Sequence, residues 1–279
     1  MRLLILLHVL GVAAIVAALL IPRHRRPAAA GPDAAGPLDP GEDGLPGMDQ
    51  PFPRIDILDS PSRRAHMIAH YVNEEAAAYE AREEDGLFLI DQPAQVPARW
   101  DYDIHGLALG KTRLAGDFDA QVVLDLERSR FTARKGDPDR YSRFILDTVF
   151  AGEGRPTAWA YFSPAGRCCP QGVVWNGSNQ DRLTWKKLPR RLAFHLRRRD
   201  DRLTVTAATE EGPLGRVLDW QAAEVRRPVR QIDLYVQVDR PQNAAKDAVW
   251  KAPGQDVYAV KAFTVSCADP KGCTVRVRP

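Results

Sequence analysis

Between Asp117 and Glu127 the chain alternates almost residue by residue. Phe118, Ala120, Val122, Leu124 and Leu126 are apolar, and Asp117, Asp119, Gln121, Asp125 and Glu127 between them are polar. A period of two puts all the apolar side chains on one side of an extended strand, whereas a helix would scatter both classes around its surface. The pattern predicts a strand with one face on a core and an acidic face toward water, and it raises the question of a ligand or a reaction at that acidic face.

The same alternation returns at Leu192, Phe194 and Leu196, and again at Ile232, Leu234, Val236 and Val238. Further strand-like runs lie at 87–90, 141–150, 157–162, 172–175, 203–208, 258–265 and 274–277. Many are separated by turn signals such as Lys135-Gly136-Asp137-Pro138, Gly152-Glu153-Gly154 and Asn176-Gly177-Ser178. Short strands at this spacing, with no long helix between them and no fixed repeat, predict an all-β antiparallel β-sandwich or jelly roll over residues 100–279.

The residues before 100 divide into three parts. From Leu3 to Ile21 the chain is apolar except for His8, and about 18 such residues suffice to cross a bilayer. The run ends in Pro22-Arg23-His24-Arg25-Arg26 rather than in a small-residue cleavage site, so 1–26 reads as a transmembrane anchor or uncleaved signal. Residues 27–53, dense in Pro, Gly and Ala, read as a disordered linker. Residues 54–99 read as a helical lead-in. Asp59 or Ser60 supplies an N-cap, Pro61 the first turn, and Ile68, Tyr71, Val72, Ala76 and Tyr79 recur at helical spacing to about residue 84. On such a helix His66, His70 and Glu74 have metal-compatible spacing. They lack the His-Glu-x-x-His order of a zinc hydrolase and read as a solvated face, so no metal or cofactor is expected.

Orientation is pulled two ways. Arg23, Arg25 and Arg26 favour a cytoplasmic C-terminal region. Cys267 and Cys273 flank a turn-like Ala-Asp-Pro-Lys-Gly spacer that could bring their sulfurs within disulfide reach; Cys168 or Cys169 could instead bridge to that pair, and unpaired thiols are the other reading. A disulfide would favour an oxidising, extracytoplasmic compartment. The extracytoplasmic placement is the expectation carried forward. The formal net charge of +3 gives little hold on a polyanion. The basic residues between Lys186 and Arg202 are diluted by Asp200 and Asp201 and read as a solvated hairpin, so no nucleic-acid partner is expected.

Four stretches resemble the concanavalin A-like lectin/glucanase superfamily, in its laminin-G-like bacterial branches. These are Trp100-Asp101 through Gly116-Asp117-Phe118-Asp119, the hairpin from Arg191 to Thr206, the strand from Gln231 to Val238, and Val257 to Val265. The resemblance implies two antiparallel sheets, with ligands held on a concave face or at its rim. It does not fix an activity, because this fold hosts lectins, glycosidases and adhesion modules.

Asp125 and Glu127 lie two apart on one strand, about 7 Å along it, a separation compatible with a glycosidase pair. Glucanases of the superfamily carry Glu-x-Asp-x-(x)-Glu, and here Leu124-Asp125-Leu126-Glu127 lacks the first Glu, so the pair reads as a solvated face. No Gly-x-Ser-x-Gly elbow or phosphate-binding glycine loop occurs. Sugar binding needs aromatic faces beside amides and carboxylates. Trp175, Asn176, Asn179 and Asp181 offer these in one segment, and Tyr235 and Gln237, with Asp233, extend them on a strand. The sequence therefore predicts a membrane-anchored, non-catalytic module for a carbohydrate or cell-surface polymer. A glycoside-active enzyme using Asp125 and Glu127, and a protein-binding scaffold, are the alternatives.

Overall fold

The alternating stretches form strands that stack as two antiparallel sheets. The computed structural model describes residues 54–58, 67–72, 75–78, 82–109, 113–132, 142–164, 171–174, 179–183, 188–269, 271 and 273–274. All belong to the compact unit Leu38–Pro279. The apolar run from Leu3 to Ile21, expected to be an anchor, and the expected linker at 27–53 lie outside the described residues.

The first sheet runs, edge to edge, β16 (Gly212–Gln221), β15 (Arg202–Thr209), β14 (Arg191–Arg199), β9 (Phe118–Arg130), β19 (Val257–Cys267), β5 (Leu87–Asp91) and β4 (Arg82–Glu84), and β1 (Arg54–Asp56) also pairs with β19. The second runs β13 (Asn179–Arg182), β12 (Gln171–Val174), β11 (Thr157–Phe162), β10 (Ser142–Phe150), β17 (Val229–Asp239), β7 (Tyr102–Leu109), β2 (Met67–Val72) and β3 (Glu75–Ala78). A short strand β8 (Arg113–Leu114) joins it through β17 and in turn pairs with β20 (Cys273–Thr274), while β6 (Gln95–Val96) and β18 (Trp250–Lys251) make a small ladder apart. Every pairing among the described residues is antiparallel.

One apolar core lies between the sheets. Phe118, Ala120, Val122, Leu124 and Leu126 of β9 enter it with Leu192, Phe194 and Leu196 of β14; Phe144 and Leu146 of β10 and Ile232, Leu234 and Val236 of β17 enter it from the second sheet. Tyr258 bridges the layers, its ring centroid 6.0 Å from Phe144 and 6.3 Å from Phe162, and its hydroxyl shares a 2.8 Å hydrogen bond with Ser142. The buried hydroxyl thus keeps a partner within an apolar core.

The described residues of the stretch expected to run as a helix from Asp59 or Ser60 to about residue 84 form strands instead. Met67–Val72, Glu75–Ala78 and Arg82–Glu84 are strands. Ile68, Tyr71 and Val72 are β-branched or aromatic, which suits a pleated strand, and Met67, Ile68 and Ala69 pair with β7. Sheet pairing therefore overrides the helical spacing. His70 lies on strand β2 rather than on a helix, and His66 and Glu74 lie outside the described residues.

Gly106 of β7 sits opposite Tyr235 of β17, and a Cβ added there would overlap the Leu234 carbonyl and the Cα and Cβ of Tyr235. Gly106→Ala is expected to lower stability by about 1–3 kcal/mol, read by chemical denaturation, because the sheet must move to admit the methyl group. An unchanged midpoint would contradict the close approach.

Candidate functional site

The second sheet turns Phe144, Leu146, Ala158, Ala160, Leu234 and Val236 inward, so the intervening residues of β10, β11, β17 and β7 stand on its outer face. Register lines them up in rows across the strands. One row holds Trp159, Asp147 and Asp233; the next holds Tyr161, Ile145, Tyr235 and Gly106; then come Arg143, Gln237 and Ile104, and finally Asp239 and Tyr102. Ile104, Ile145 and Tyr235 form a small apolar patch with Tyr161 packed against it. Trp159 is 38% exposed and Tyr102 40%. Aromatic surface therefore stands open at both ends of this array of rows.

The polar groups of this face are ordered by one another. Thr157 donates a hydrogen bond to Asp147, and the Trp159 indole N–H donates to the Thr157 hydroxyl at 3.1 Å. Gln231 donates to Asp233, Gln237 donates to Asp239 at 2.6 Å, and Arg143 is ion-paired with Asp239. The Arg143 guanidinium also lies 5.5 Å from the centre of the Tyr161 ring. Burial pushes the Asp147 carboxyl up to about 6, against the hydrogen bonds from Thr157, the Thr148 amide, Trp159 and Tyr235 that favour its charged form. Burial, followed by the nearby Asp147 and Asp233 charges, raises the Tyr235 hydroxyl well above the usual phenol range.

Of the residues singled out from sequence, Tyr235 and Gln237 stand on this face with Asp233. Asn179 and Asp181 lie on β13 at the edge of the same sheet, where Asn179 pairs with Val173, the partner of Trp159. Trp175 and Asn176 lie outside the described residues. Asp125 and Glu127 are on β9 of the other sheet. Asp125 accepts the Arg128 amide at 3.0 Å and sits opposite Arg191 and Ala259 rather than opposite an acid, and Glu127 is exposed. Asp147, Trp159, Tyr161 and Arg143 were not anticipated. The alternation of 143–147 and 157–161 marks them as one-faced, but the pairing that unites them is not local.

The other expected water-facing surface, the polar side of β9, is covered at Asp119 and Gln121 and open at Glu127. Asp119 is 0% exposed and accepts hydrogen bonds from His195 Nε2 and Arg197 at 2.9 Å and from Arg199 at 2.7 Å. Burial pushes its carboxyl up, and the donors together outweigh this to hold it at about 2. The basic hairpin read as a solvated edge is likewise anchored inward, with Arg197 and Arg199 on Asp119 and Arg198 buried. Cys267 is part of a disulfide.

No protein-family model matches the chain, and no curated protein matches it in sequence. Among solved structures it is similar to a legume lectin-like domain from Entamoeba histolytica (8% identity, 78% of this chain and 97% of that one, TM-score 0.45). It is similar also to the alginate lyase from Klebsiella pneumoniae (10% identity, 74% and 96%, TM-score 0.45) and to the Crh5 transglycosylase without ligand (12% identity, 80% and 86%, TM-score 0.46).

Proposed function

We propose that the chain is a membrane-anchored module of concanavalin A-like type that recognises a carbohydrate or surface polymer on the outer face of its second sheet without cleaving it. One observation carries the reading: strand register gathers Trp159, Tyr161, Tyr235 and Tyr102 on one face with the carboxylates Asp147 and Asp233 and the amide Gln237. Aromatic rings stack on the apolar faces of sugar rings, while carboxylates and amides bond their hydroxyls. Asn179 and Asp181 lie on β13 at the edge of the same sheet. The incomplete carboxylate pattern at Leu124-Asp125-Leu126-Glu127, which lacks the first Glu of the superfamily's glucanases, supports binding over cleavage. The disulfide at Cys267, whose partner we place at Cys273, supports an extracytoplasmic location.

The test is a glycan array probed with the full chain in detergent, with product analysis of every sugar retained. Trp159→Ala and Tyr102→Ala are each expected to weaken binding about tenfold, the loss of one stacking platform. No retention at millimolar glycan would sink the reading, and cleaved product would replace the binding module with an enzyme.

A further inference from the structure

We infer that the outer face of the second sheet takes one extended polysaccharide chain along a diagonal from Trp159 to Tyr102, so that its ligand is a polymer or a long oligomer and not a mono- or disaccharide. The inference rests on the glycan reading above and names the size class of ligand for the same face. Among the described residues Trp159 and Tyr102 are the two large aromatic side chains left exposed. Register places them at opposite corners of the array. Trp159 stands on β11 in the first row, and Tyr102 on β7 in the last. Neighbouring strands lie about 4.8 Å apart, and each residue advances its strand by about 3.4 Å. The step from β11 to β7 and from the first row to the last therefore separates the two positions by about 25 Å, far more than one stacked sugar ring covers.

Between these corners runs a continuous lane of accessible side chains. Tyr161 follows Trp159 on the same face of β11, and the Arg143 guanidinium lies 5.5 Å from the centre of its ring. Arg143 is ion-paired with Asp239, which is the direct cross-strand partner of Tyr102. Gln237 stands beside Arg143 in the same lane. Tyr161, Arg143, Gln237 and Asp239 are all partly exposed, so each presents surface to a chain lying over it. Ile145, Tyr235 and Ile104 pack together alongside as a floor for the apolar side of a sugar chain. The guanidinium and the carboxylate of the lane are paired with each other, so it offers rings and hydrogen bonds rather than charge, which suits an uncharged chain. Gln237 uses its amide N–H on Asp239, and its carbonyl oxygen can accept a sugar hydroxyl. Two stacking platforms joined by one ligand act as linked sites. The second contact adds affinity once the chain spans both, and nothing when it is too short.

The experiment is isothermal titration of the full chain in detergent with uncharged oligomers of glucose, N-acetylglucosamine, mannose and xylose, each as a series from dimer to octamer. The expected result, in whichever series binds, is a step in affinity of about tenfold or more where the extended oligomer first reaches about 25 Å. Beyond the step, Trp159→Ala and Tyr102→Ala should each cost about tenfold. Below it, each should cost no more than about twofold, because the other platform is left to hold the short chain. Both side chains are exposed, so the variants should match the parent in circular dichroism. If affinity is the same at every length, and Trp159→Ala weakens short and long oligomers alike, the extended path is overturned and the glycan face stands. If no oligomer of any series or length binds, both fall.

Discussion

Arg198→Ala is expected to destabilise the protein by about 4 kcal/mol or more, because it orphans several buried carbonyls at once and leaves a cavity. Arg198 is 1% exposed and occupies an inward position of β14, where the alternation of Leu192, Phe194 and Leu196 leads to an apolar residue. Its Nη1 donates to the Arg227 carbonyl at 2.8 Å, and Nη2 donates to the Leu114 carbonyl at 2.9 Å and to that of Gly116. A longer bond of 3.4 Å reaches Val225, in the 3-10 turn Ala223–Arg226, and the guanidinium carbon stands 4.8 Å from the centre of the Phe118 ring. One side chain thus joins the approach to β9 with the approach to β17. Burial lowers the guanidinium to about 10, which still leaves it charged at neutral pH. Arg198→Lys keeps the charge but not the planar fork, so it should recover only part of the loss. Urea unfolding of the three proteins measures this, and an alanine variant within 1 kcal/mol of the parent, on the order of a surface substitution, would refute the bridging role.

Asp119→Ala should cost a comparable about 3–5 kcal/mol at neutral pH, since removing one partner of a buried ionic group strands the others. His195, 4% exposed, would be left beside an apolar side chain, with Arg197 and Arg199 released toward solvent. The pH dependence separates this from simple packing loss. The Asp119 carboxyl sits at about 2 when folded and at 3.8 in its unperturbed state, so the stability it contributes is complete above the unfolded value and disappears as pH falls through the folded one. Between those limits the group accounts for about 2 kcal/mol. Thermal unfolding across mildly to strongly acidic pH should therefore fall more steeply for the parent than for Asp119→Asn, and parallel curves would rule out the ionic role.

The strands were legible wherever one face alternates cleanly. The run at 157–162 coincides with β11, and the runs at 191–197 and 231–238 differ from β14 and β17 only at their ends. β16 was missed because Gly212, Pro213 and Gly215 break the pattern, although their strand is held by pairing to β15. Asp119 was misjudged for a different reason. A polar residue in an alternating strand is on the wet side only if that side is uncovered. Here β9 lies between β14 and β19, and two arginines of β14 fold over it. The candidate site was half legible. Tyr235 and Gln237 were chosen for their chemistry on a polar strand face. Their partners Asp147 and Trp159 are distant in sequence and come beside them only through the β10–β17 and β10–β11 registers, which no local pattern encodes.

Among the described residues the first sheet ends at β4, three residues long and all of them exposed and charged: Arg82, Glu83 and Glu84. Arg82 is tied to Asp91 at 2.6 Å. A strand arriving from another molecule would have to bury these charges to continue the hydrogen-bond ladder, and so short a segment returns too few bonds to offset that. Fibril-like self-association through this margin is thereby discouraged. Copies can crowd side by side without their sheets fusing at this margin.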